Sequence, residues 1–363
     1  MWNAECGMRN AERIGLGRIR GNREGISPQR HGEYGDREEW RGCVAGILCL
    51  LTILLLPTVI CAEQEPDAGQ MGYFLKLATN ARMLGMGASG VACKDAGIFY
   101  NPAGIAWTEG RQIQLMSAAL PFPDTSYTFL SYTCQAGKNW GIGLGVPVLK
   151  VTGAEKRTGM YESSGTFDDQ QMALGLGLAR SFSPRLSAGL TLKAIQQRFC
   201  EETTTIGDID LGILYQHKPP SFSRSEGSVE LPSFSRRGRG GFLNSGRNSI
   251  GVSFQNILGS TVKQAYRQDK MPQTIKVGVS CCPIYNVLLA VDIEKSSGRT
   301  FRVHLGGEYS PLDFLSLGAG YDDQGYLTAG VGIKTQNLTI DYGLQNHDYK
   351  LSHRVSVGVV WGK

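Results

Sequence analysis

From about Arg111 to the end of the chain, apolar side chains fall at every second position in one short segment after another, each closed by a turn. Ile142, Leu144, Val146 and Val148 set the pattern, and Ile209, Leu211, Ile213 and Tyr215 repeat it. Further runs are Ile275, Val277, Val279; Phe301, Val303, Leu305; Leu327, Ala329, Val331, Ile333; Leu338, Ile340, Tyr342, Leu344; and Val355, Val357, Val359, Trp361. Successive side chains of a strand point to opposite faces, so each segment has one apolar face and one polar or small face. Nearly three quarters of the chain obeys this one period, which excludes a helical or mixed fold for that part.

About fourteen strands are expected, near 111–119, 125–136, 139–149, 169–180, 184–199, 206–217, 248–256, 273–282, 285–294, 300–309, 314–322, 326–335, 337–345 and 353–361. Their length suits transmembrane strands, which need about 9–11 residues, and bacterial barrels carry an even number of them. The face opposite the apolar residues carries Lys193, Asp208, Asp210, Lys276, Asp292, Arg302, His304, Glu308 and Asp341. A Lys or Arg on a lipid-facing surface costs ~2–4 kcal/mol at the bilayer midplane, so these charges are expected in the lumen. Elsewhere that face is small: Gly141, Gly143, Gly145, then Ala173, Gly175, Gly177, Ala179. The 48 glycines of the 363-residue chain are roughly twice the average share, and charged residues at 19% fall below the usual level. A soluble sandwich would also alternate, but its polar faces would meet water and carry more Lys and Glu. The expected fold is therefore all-β, a transmembrane antiparallel barrel of about fourteen strands spanning 111–363.

Residues 1–62 read as a leader. Eight arginines precede residue 42, and an uncharged apolar run, 44–60, follows Arg41 and ends at Cys61-Ala62 before Glu63. A basic flank, a short apolar core and a small residue at the junction describe a signal peptide with cleavage near Ala62. A spanning helix would need ~20 apolar residues. Export without a later apolar helix of that length leaves the periplasm, outer membrane or exterior, and the strands favour the outer membrane.

Residues 63–110 do not alternate. Gly69–Trp107 begins with a helical-looking stretch, Tyr73–Ala81, and continues as glycine-rich coil. A segment so small and apolar cannot form its own core. Packed inside a glycine-lined barrel, it could act as a hatch or plug.

Within that segment stand Phe74-Leu75-Lys76, Ala81-Arg82, Leu84-Gly85-Met86-Gly87-Ala88, Val91-Ala92 and Asn101-Pro102-Ala103-Gly104. In this order they resemble the PorV/PorQ family of outer-membrane proteins, itself similar to the FadL-type hydrophobic-compound transporters. The resemblance implies a hatch inside a fourteen-stranded barrel, with Gly85, Gly87, Asn101, Pro102, Ala103 and Gly104 as its motif. It implies either passage of a hydrophobic or amphipathic small molecule or, as the rival reading, non-enzymatic docking of secreted protein cargo of the type IX kind.

No catalytic residue, cofactor or metal is expected. No nucleophile elbow, zinc-protease, Walker or dinucleotide motif occurs in its required context. The nine cysteines include no C-x-x-C pair, so a zinc site is not indicated; a Cys134–Cys200 disulfide is one pairing an oxidising compartment would allow. Asp208 and Asp210 share a strand face and could serve acid–base work or a cation, but lumen carboxylates more often neutralise basic wall residues. His304, between Arg302 and Glu308, reads the same way.

The formal net charge is +5, yet the basic clusters lack the helix or aromatic interleaving of a nucleic-acid surface, so no nucleic-acid partner is expected. One cluster, 218–247, repeats Pro-Ser-Phe-Ser-Arg at 220–224 and 232–236 and reads as a long loop. Barrels carry long loops outside, so a cell-surface position is expected, where Phe222 and Phe234 could anchor lipopolysaccharide or an acidic partner. Membrane lipid and lipopolysaccharide are the surroundings this fold implies.

Overall fold

The computed structural model describes residues 72–122, 124–157, 163–199, 202–217, 248–264, 267–283, 286–322, 326–347 and 350–362. The leader 1–62 with its apolar run 44–60, the segment 218–247 and Cys200 lie outside the described residues.

Strands β1 (Arg111–Ala119), β2 (Thr125–Gln135), β3 (Trp140–Arg157) and β4 (Ser163–Ser183) come first. Next are β5 (Leu186–Phe199), β6 (Glu202–His217) and β7 (Asn248–Gln255). A separate pair follows, β8 (Thr261–Gln264) and β9 (Arg267–Lys270). The rest are β10 (Thr274–Cys281), β11 (Val287–Ser296), β12 (Phe301–Leu312), β13 (Leu315–Asp322), β14 (Tyr326–Lys334), β15 (Leu338–Asn346) and β16 (Leu351–Trp361). Fourteen of them form a closed barrel in sequence order, with β7 pairing β10 and β1 pairing β16 across the seam. Every pairing is antiparallel, and the seam runs in unbroken register from Arg111↔Trp361 to Ala119↔His353. Closure leaves no sheet edge, so the backbone groups of every strand find partners within the sheet.

The strand count agrees with the expectation, and three details differ. Strands β3 and β4 are 18 and 21 residues long, because polar pairs such as Glu155↔Thr166 continue the ladder beyond the apolar span. The β8–β9 hairpin was not anticipated; Val262 is its lone apolar residue, so no alternation announces it. The stretch Tyr73–Ala81 is not one helix. It is a 3-10 turn at Tyr73–Leu75 and, later, a single helical turn, α1 (Ala81–Gly85), capped by the Asn80 side chain accepting from Met83 N at 2.6 Å.

Alternation sorts the side chains by face. Each of the fourteen barrel strands contributes exposed large apolar residues to the outside, Leu115, Leu176, Ile213, Val279, Ile293, Ile333 and Val355 among them. One end of the barrel holds the start of β1 and the finish of β16. Tyr132, Trp140, Phe182, Tyr215 and Trp361 point outward near that end, with Tyr132 and Trp361 6.3 Å apart and Arg180 over both the Trp140 and Phe182 rings.

Strand direction assigns every connection to an end. The short links 136–139, 184–185, 313–314 and 335–337 stand at the end shared with Arg111 and Trp361. So do His217 and Asn248, the residues bracketing 218–247, which pair with each other. Six strands precede 218–247, and after an even number of antiparallel passes the chain is back at the end from which β1 started.

Candidate functional site

The barrel is filled by its own amino-terminal segment. Phe74 and Leu75 pack with Met271 near the far end, while Gly110 lies beside Trp361 at the other. Between them the chain descends along the wall's inner face. It is mostly coil, and coil away from water must have its amides and carbonyls satisfied. The wall supplies the partners. Asp292 Oδ2 accepts from Gly90 N at 2.6 Å and Val91 N at 2.9 Å, and Thr328 Oγ1 accepts from Gly87 N at 2.9 Å. In the other direction Thr191 donates to Ile98 O, Ser187 to Ala103 O, Gln255 to Phe99 O and Arg354 to Ala78 O, at 2.7–3.2 Å.

Missing side chains make this approach feasible. A Cβ on Gly85 would sit 2.8 Å from Gly330 Cα. Gly87 has φ +64°, and a Cβ there would lie 2.7 Å from Tyr321 N. Wall glycines Gly143, Gly145, Gly175 and Gly177 leave the space that Ile98, Phe99 and Ile105 occupy. The motif Asn101-Pro102-Ala103-Gly104 opens the second 3-10 turn, Pro102–Trp107. Asn101 Oδ1 accepts from Ala103 N at 3.1 Å, and its Nδ2 donates to Val91 O at 2.8 Å and to Ile213 O on β6 at 3.2 Å. One side chain thus caps a turn, ties two parts of the segment together and joins both to the wall.

All nine inward charges read from the sequence are buried. Lys193 meets Asp210 at 2.6 Å. Asp208, next to it, instead accepts backbone amides of Leu258 at 3.1 Å and Ser260 at 3.4 Å, holding the chain after β7. Lys276 pairs with Glu294 at 3.0 Å and lies 4.6 Å from the Tyr100 ring. Glu308 binds Arg82 of the segment at 2.5 Å, and Arg82 also pairs with Asp95. Asp341 accepts from Ser356 Oγ, and Ser356 Oγ accepts from Ala81 N, each at 3.2 Å. His304 Nδ1 is 3.0 Å from Gly87 O and 3.4 Å from Asp322, while its Nε2 has no hydrogen-bond partner.

Four participants were not anticipated. Glu294 and Arg354 share the inner-face parity and were readable from it. Lys76, which pairs with Glu294 at 3.2 Å, and Arg82, in the single turn α1, lie outside the strands, where no period marks them. Arg302, His304, Glu294 and Arg354 join Lys76 and Leu120 around a pocket of about 60 Å³ toward the far end. A cavity of ~150 Å³ is what admits a benzene ring, so this space is too small for even a compact hydrocarbon.

Cys93 is buried and carries a free thiol. Burial, reinforced by the nearby Asp95 carboxylate, pushes that thiol well above its ordinary value. Cys134 and Cys281 are free as well. No group of three or more His, Cys, Asp or Glu able to hold a metal occurs among the described residues.

No protein-family model matches the sequence, and no curated protein sequence does. Solved structures do resemble it. The P. putida toluene transporter TodX superposes with a TM-score of 0.55 at 11% identity, over 78% of this chain and 99% of that one. The CymD monoaromatic hydrocarbon channel gives a TM-score of 0.52 at 12% identity, over 79% and 98%. At such identities the likeness is one of fold: this chain is a closed fourteen-stranded barrel similar in fold to those two channels.

Proposed function

We propose that this chain is a bacterial outer-membrane barrel that admits a hydrophobic or amphipathic small molecule when its internal segment shifts. The single observation that carries the reading is a lumen filled by a segment held through close backbone contacts and a few polar attachments. Such a segment is separate from the wall's own hydrogen bonding, so it can move without opening the barrel. Membrane residence is supported by the apolar belt on all fourteen strands. A soluble monomer rarely exposes a contiguous apolar patch beyond ~300–600 Å². Outward aromatics near one end match the interfacial girdles of such barrels. TodX and CymD, described as a toluene transporter and a monoaromatic hydrocarbon channel, support a hydrophobic cargo by analogy of fold.

Membership of the PorV/PorQ type is part of the proposal and rests on the ordered motif from Phe74 to Gly104. A second reading, a docking platform for secreted proteins, is favoured by one observation: the pocket described toward the far end is too small for a hydrocarbon while the segment stays seated. Reconstituted liposomes separate the two. Uptake of labelled toluene or a labelled fatty acid, above that of protein-free vesicles, is expected from the transporter. No uptake by folded, heat-modifiable protein would overturn it and leave docking as the better account.

A further inference from the structure

The lumen segment follows β10 on its way toward the termini end of the barrel. At Gly278 an added Cβ would meet Val91 Cβ at 3.0 Å. Two residues along β10, on the same inner face, Ser280 Oγ donates to Ala92 O at 3.4 Å. Residue 282 follows directly on the end of β10, and the next residue of the segment is 93. Both are cysteine. Accordingly, Cys282 packs against a small apolar cluster made of Met86 and Cys93 from the segment with Leu288 and Ala290 from β11. Cys281 has the parity of the outward Val277 and Val279, so it faces away from the segment.

We propose that Cys93 and Cys282 are joined in the exported protein by a disulfide that staples the lumen segment to the barrel wall. The inference rests on the outer-membrane reading above, because disulfides persist in oxidising compartments such as the periplasm. The oxidant is a protein of the thiol–disulfide exchange class. The Cys282 thiolate attacks one sulfur of the oxidant's disulfide and expels the other as thiolate. The Cys93 thiolate then attacks Cys282 Sγ and releases the oxidant's second thiolate. The two cysteines lose two electrons and two protons, and the oxidant's disulfide becomes a dithiol. The staple lies near the end that holds Arg111 and Trp361, so it fixes the segment's lower half and leaves the Tyr73–Arg82 half, with its ion pairs, able to swing.

The test is peptide mapping of wild-type protein extracted from outer membranes, alkylated in denaturant without reductant. The expected result is a Cys93 peptide linked to a Cys282 peptide, lost on reduction and absent from Cys93→Ser and Cys282→Ser. In planar bilayers, reduced wild type and both variants should open several-fold more often than oxidised wild type. Alkylated Cys93, or Cys93 linked to Cys134, Cys200 or Cys281, in heat-modifiable protein would overturn the staple while leaving the barrel reading intact. Protein recovered outside the membrane would count against the membrane reading. The same mapping on chain refolded in detergent with a glutathione redox buffer then decides the staple by itself.

Discussion

Glu294 illustrates what a single buried charge does in this interior. Its carboxylate lies 3.2 Å from Lys76 on the segment and 3.0 Å from Lys276 on the wall, with 2% of its surface exposed. Glu294→Gln would remove the negative charge that faces both buried ammonium groups. Breaking one partner of a buried pair typically costs ~3–5 kcal/mol. The urea midpoint of detergent-solubilised protein should fall accordingly, and an unchanged midpoint would mean that water already screens this group. Gly87 tests geometry instead of charge. Gly87→Ala meets both a positive φ and the Tyr321 backbone, so it should cost more than ~1 kcal/mol and loosen the segment. Single-channel recordings should then show longer or more frequent openings than wild type. Parity told which side chains face inward, Lys193 and Asp341 alike, because a period of two is fixed by the backbone. It could not name partners: Asp208 and Asp210 looked equivalent, yet one meets Lys193 and the other holds loop amides.

Among the elements, the strands were legible and the segment inside them only partly so. Every barrel strand announces itself by alternation, whereas no alternation marks β8–β9, and α1 is a single turn opened by the Asn80 cap. Motif glycines were visible as unusual, but their reason, close approach to Gly330 and Tyr321, exists only once distant strands are assembled. The wall's ladders are complete without the segment, since each strand pairs with two others of the ring. Deleting 69–107 should therefore yield a barrel that still migrates heat-modifiably but conducts more. Conductance equal to wild type would place the resistance in the loops.

For the molecule as a whole, topology places the two flanks of the basic segment. His217 and Asn248 stand at the end that holds the chain's first and last strand ends. With that end placed in the periplasm, an intact outer membrane shields both attachment points of the segment. The basic segment between them, with Arg236, Arg237 and Arg239, should resist trypsin on intact cells and be cut once the outer membrane is permeabilised. Cleavage on intact cells would invert the orientation.

The seam has a further consequence, for the order of folding. A ring completed by joining its first strand to its last, Arg111 to Trp361, imprisons whatever lies within it at that moment. The segment leads directly into β1 and touches strands from both halves of the ring, so its seating and the zipping of the seam are coupled. The last ladder to form thus joins the sequence-distant edges of the sheet around a cargo made of the same chain. Pairings between such remote stretches are slow to find. The rate of closure in a refolding experiment should therefore depend on the segment's glycines even though none of them lies in the seam.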